Sequence, residues 1–105
     1  MKRGNTRPLL EIHAPAEFER LREETIALRI DFIQTDLELG VTFADMAAEA
    51  LNAGKRARNK RNARRAYDTV FLSFSRLSLK GPIEREIRER LAYLRLRLES
   101  LGESF

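Results

Sequence analysis

The chain has 105 residues, 43% apolar and 34% charged, with no cysteine and a net charge of +4. That is enough for one hydrophobic core, in a composition that folds rather than stays disordered. The lack of cysteine excludes a disulfide framework, thiolate chemistry and a zinc ribbon. No apolar run approaches the ~20 residues needed to cross a bilayer, so no membrane partner is expected.

Met1 to Pro8 carries three bases and no acid. Only Leu9-Leu10 follows in place of a long apolar stretch, unlike a secretory signal. The expectation is a cytoplasmic protein with a flexible basic arm over residues 1–14, one helical domain over residues 15–102 and a frayed end at residues 103–105. Pro8 and Pro15 argue against regular helix before residue 15, and Pro15 suits a first helical position.

From Pro15 to Ala53 there is no further proline, and the apolar residues keep helical spacing. One stripe is Leu21, Leu28, Phe32, Leu39, Phe43, Met46 and Ala50. A second is Ile26, Ile30, Ile33, Leu37, Ala44 and Leu51. At ~100° per residue they lie on two faces, which predicts a helix covered over more than half its circumference. Glu24, Asp31, Glu38 and Asp45, each seven residues after the last, form the remaining solvated strip. Both stripes stay in register across Gly40, which favours a continuous helix. In the alternative, Thr42 with Asp45 caps a new helix and the chain breaks there.

Asn52-Ala53-Gly54 is expected to be a stop and turn. A second helix then runs from about Arg56 to Leu79, with Ala63, Tyr67, Val70, Phe74 and Leu77 inward and Ala66 and Phe71 flanking. Lys80-Gly81-Pro82 is the next stop, and Pro82 opens a third helix reaching about Leu101. Its seam is Ile83, Ile87, Leu91, Leu94, Leu98 and Leu101, and Glu84–Arg88 and Glu86–Arg90 make favourable (i, i+4) pairs. The predicted class is all-α: an antiparallel helical hairpin plus a third helix. It is a three-helix bundle if the first helix is unbroken, and a four-helix bundle if it breaks near Gly40.

Leu39-Gly40-x-x-Phe43, followed by Ala63-x-x-x-Tyr67, resembles one tetratricopeptide-type helix pair. The resemblance implies a helix–helix contact through Gly40, Phe43, Ala63 and Tyr67, with the glycine where the helices touch. Asp36 stands where the repeat has Trp, and only one copy is present. The segments TDLELGVTFADMA and RNARRAYDT also resemble short all-helical bacterial proteins, which implies a helical fold and no activity.

No phosphate loop, dinucleotide-binding glycine motif or nucleophile elbow occurs. His13 is the only histidine, and the Glu24–Asp45 strip lacks the Glu-x-x-His motifs of di-iron bundles. No catalytic residue, cofactor or metal site is therefore expected.

The feature that calls for an explanation is charge. Residues 9–53 hold ten acids and three bases, whereas residues 54–80 hold nine bases and one acid. Seven cations fall between Lys55 and Arg65, and their like-charge (i, i+4) pairs cost about 0.2–0.5 kcal/mol each. Lys55, Arg58, Lys60, Arg61, Arg64 and Arg65 are candidate contacts for an anion or an acidic partner. Three answers compete: neighbouring acids of the same chain, Asp45 and Glu49 first among them; an acidic protein partner or second copy; or nucleic-acid phosphate, helped by Lys2, Arg3 and Arg7.

Geometry adds a candidate dimer surface. A first helix of ~38 residues spans about 57 Å, against about 30–36 Å for the later two. Phe18, Leu21, Ile26 and Leu28 would then outrun their own chain's partners. The expected function is a small helical protein-interaction or structural module, a homodimer without catalytic activity. The alternative is a non-specific nucleic-acid-binding accessory protein using the basic helix at residues 55–65.

Overall fold

A computed structural model describes the backbone of residues 3–105 and the side chains of residues 15–105. It contains three helices, α1 (Arg3–Glu49), α2 (Ala53–Ser75) and α3 (Gly81–Ser100), with no strand among the described residues. The chain divides into two units, Met1–Ile30 and Asp31–Phe105. The described residues of the first all belong to α1, and the second holds the bundle.

Helical backbone begins at Arg3, well before the expected start at Pro15. Proline carries no N–H and removes one bond of the helical ladder where it falls, and the remaining ladder carries the helix past Pro8 and Pro15. The basic arm read for residues 1–14 lies outside the residues whose side chains are described. Farther along, α1 is continuous through Gly40, so the four-helix alternative does not apply. Thr42 caps nothing: its hydroxyl donates to the Glu38 carbonyl at 3.0 Å, within the helix.

In the second unit the short links Ala50–Asn52 and Arg76–Lys80 turn the chain back twice. The core is built from Ile33, Leu37 and Ala44 of α1, Ala63, Tyr67 and Val70 of α2, and Ile87, Leu91, Leu94 and Leu98 of α3. Phe43, Phe74, Leu77, Ile83 and Leu101 pack around it. The α3 seam and the inward face of α2 thus match the sequence pattern. The two-faced reading of α1 is corrected, because Phe32, Leu39 and Met46 of the first stripe are exposed. Among the described residues only α2 and α3 pack against α1, on one face, and the buried positions Ile33, Leu37, Gly40, Ala44 and Ala47 recur at four- and three-residue steps along it.

The helix ends have local causes. Asn52, expected in a stop, is the N-cap of α2: its side chain accepts from the Lys55 backbone N–H at 3.0 Å. The helix therefore starts at Ala53 rather than Arg56, and it ends at Ser75 rather than Leu79. At the end of α3 the Glu103 N–H donates to Leu98 O (3.0 Å) and the Gly102 N–H to Glu99 O (2.9 Å). With Gly102 at φ +97°, this is a Schellman closure. Residues 103–105, expected to fray, are thereby directed back onto α2.

Candidate interaction surfaces

The basic run of α2 is split between two fates. Lys60 and Arg64 face the segment after α3. Arg64 Nη1 donates to Glu103 Oε1 and to the Ser104 carbonyl, both at 2.8 Å, while its Nε donates to Asp68 Oδ1 at 3.1 Å. Lys60 Nζ lies 3.8 Å from Glu103 Oε2 and donates to Leu101 O at 3.4 Å. Asp68, and with it Glu103, raises the Arg64 pKa above its ordinary value, since each stabilises the charged guanidinium. Phe105 completes this end. Its ring meets Tyr67 edge-on at 4.9 Å, with the Arg64 and Arg95 guanidinium groups 4.1 Å and 4.8 Å from its centroid.

The expected internal partners are therefore corrected. Asp45 pairs with Arg97 of α3 and not with the basic run. Glu49 makes no ion pair among the described residues. Glu103 was missed because the four residues after Leu101 look like an unanchored end. The signal that could have found it is Gly102, placed where a helix closes with a left-handed residue.

The other cations face outward. Arg56 Nη2 donates to the Ala50 carbonyl at 3.1 Å, at the end of α1, where a cation suits the helix dipole. Lys55, Arg58, Arg61 and Arg65 are exposed and make no ion pair among the described residues. Their spacing of three, three and four residues places them along one stripe of α2.

The helix–helix contact proposed for Gly40, Phe43, Ala63 and Tyr67 resolves into its parts. Gly40, Ala63 and Tyr67 are buried and Phe43 is half-buried. A β-carbon on Gly40 would meet Ala66 Cβ at 3.1 Å, but also Leu94 Cδ2 at 2.7 Å. The glycine thus lies at a three-helix contact, and the part played by α3 is not visible in a two-helix motif.

Two grooves flank α1 in the second unit. One, against α3, is lined by the apolar Leu37, Val41 and Tyr93 and by Glu38, Glu86, Glu89 and Arg90. The other, against α2, holds Asp36 beside Leu39, Phe43 and Arg65, and burial raises the Asp36 pKa above its ordinary value. In the first unit Phe18, Leu21 and Leu28 are 63%, 51% and 69% exposed. Ile26, grouped with them from the sequence, is half-buried and lies on another side of the helix.

Among the described residues no group of three or more His, Cys, Asp or Glu side chains could hold a metal ion. The His13 side chain lies outside the described residues. No helix among the described residues is long and apolar enough to cross a membrane. No protein-family model matches this chain, and searches of curated proteins and of solved structures find no match to it.

Proposed function

We propose that the protein is a non-catalytic helical interaction module that acts as a homodimer, with α1 supplying the contact. The observation that carries this reading is the exposure of Phe18, Leu21 and Leu28 in a unit whose described residues all belong to α1. An isolated helix in water is marginal, and burying such a face against a partner stabilises it. The tetratricopeptide-like pairing belongs to the same reading, supported by the close approach of Gly40 to Ala66. Work in the cytoplasm without a cofactor is part of the proposal, resting on composition and on the missing motifs. The test is the mass in solution by light scattering across the micromolar range. Two chains are expected at the upper end. A single-chain mass throughout, without binding of an apolar-surface dye, refutes the reading.

A second reading rests on α2. Lys55, Arg58, Arg61 and Arg65 form a cationic stripe free of ion pairs among the described residues, suited to a row of phosphates. Binding to duplex DNA should then weaken with a log–log salt slope of about −0.9 per phosphate contacted. Replacing Arg58, Arg61 and Arg65 with Gln should flatten that slope. Absence of any complex at low salt refutes this reading.

A further inference from the structure

Heptad counting along the first unit gives the exposed face an orientation. With Phe18 at position a, Leu21 and Leu28 fall at d and Thr25 at a, all exposed. Glu17 and Glu24 then occupy g, and Arg22 and Arg29 occupy e; these four are exposed as well. The half-buried Ile26 and Ile30 fall at b and f, away from the seam.

We propose that residues 17–29 of α1 pair with the same residues of a second copy as a short parallel coiled coil, in register. The proposal rests on the homodimer reading above and adds the segment, the orientation and the register. In a parallel pair each g residue faces the e residue five positions later on the other helix. Glu17 then meets Arg22 of the second copy, and Glu24 meets its Arg29; two-fold symmetry repeats both contacts. An antiparallel pair sets g against g and e against e, placing glutamate on glutamate and arginine on arginine. The charges therefore select a second copy as occupant and one direction for it. The same count places Asp31 at g opposite Asp36 at e, acid against acid, so the favourable segment stops before Asp31. Two heptads make a short seam, and the association is correspondingly weak and concentration-dependent.

The chain has no cysteine, so single cysteines report on geometry without background. Leu21→Cys and Leu28→Cys variants of the full chain are each oxidised alone and as an equimolar mixture, with masses read under denaturing conditions. In the parallel register each variant cross-links to itself, and the mixture adds no 21–28 product beyond background. Self-cross-linking of neither variant, with the 21–28 product dominating the mixture, shows an antiparallel pair and overturns the proposal. A charge test runs beside it. Glu17→Arg with Glu24→Arg should weaken self-association about tenfold or more at low salt. Arg22→Glu with Arg29→Glu should do the same, and mixing the two double variants should restore a dimer. A dimer by mass that neither cross-links at these positions nor responds to the charge changes overturns this segment and leaves the homodimer reading standing. A monomer at every concentration removes both.

Discussion

Gly40 of α1 and Leu94 of α3 compete for one volume: a β-carbon on Gly40 would stand 2.7 Å from Leu94 Cδ2. Leu94 is completely buried, and the second neighbour, Ala66 Cβ at 3.1 Å, has no rotamer to change. Gly40→Ala gains about 1 kcal/mol of helix propensity and loses about 1–3 kcal/mol to overpacking. The expected result is a lower melting temperature, and a larger drop for Gly40→Leu. Leu94→Ala alone should cost about 2–5 kcal/mol, and adding Gly40→Ala to it should cost less than adding it to the native chain. A rise in melting temperature for Gly40→Ala in the native background would refute the close contact.

Glu103 is the acid that answers two cations of the basic run, and its side chain is 23% exposed, against 58% for Asp68. Glu103→Gln should lower stability by about 0.5–1.5 kcal/mol at low salt, with a smaller loss at high salt. Asp68→Asn should cost less, about 0–0.5 kcal/mol, because its pair is local and solvated. Denaturant titration at two salt concentrations measures both. A larger effect at Asp68 than at Glu103 would show that the local pair dominates.

The raised pKa of Asp36 has a sign that can be checked. Burial favours its neutral form in the folded state, so its stabilising contribution is present below the ordinary aspartate pKa. That contribution is lost as pH rises through the folded value. Asp36→Asn, neutral at every pH, should therefore raise stability at pH 7, with the gain shrinking as the pH falls through that window. A gain that persists unchanged into strong acid would assign the effect to something other than ionisation.

Asp45 and Arg97 form the ion pair that joins α1 to α3, with side chains 48% and 33% exposed. A double-mutant cycle with alanine at both positions should give a coupling of about 0.2–1 kcal/mol. The same cycle between Asp45 and Arg61 should give none within error. Coupling to Arg61 instead would restore the expectation that Asp45 neutralises the basic helix.

What the sequence made legible follows periodicity. The seam from Ile83 to Leu101, the inward Ala63-Tyr67-Val70 face and the unbroken course through Gly40 all repeat at helical spacing, so a count along the chain finds them. Two apolar stripes on α1 were equally legible, but periodicity does not say which one a three-helix core covers. Ile33 and Leu37 are buried while Phe32 and Leu39 are exposed, and that choice was made by packing. Contacts between residues far apart in the chain do not follow from periodicity. Glu103 reaches Arg64 across 39 positions, and Leu94 meets Gly40 from a helix that the two-helix motif does not contain.

The reach from Glu103 back to Arg64 also separates local from long-range stabilisation. Within α3 the ion pairs Glu84–Arg88, Glu86–Arg90 and Arg95–Glu99 all close inside one helix, so that segment can begin to coil from its own residues. The first half of α2 cannot do so as readily, because its like charges repel, Asp68 alone answers them within the helix, and Glu103 lies 39 residues downstream of Arg64. The two helices thus differ in what holds them: the ion pairs of α3 are its own, whereas the start of α2 gains Glu103 only when Gly102 turns the chain back.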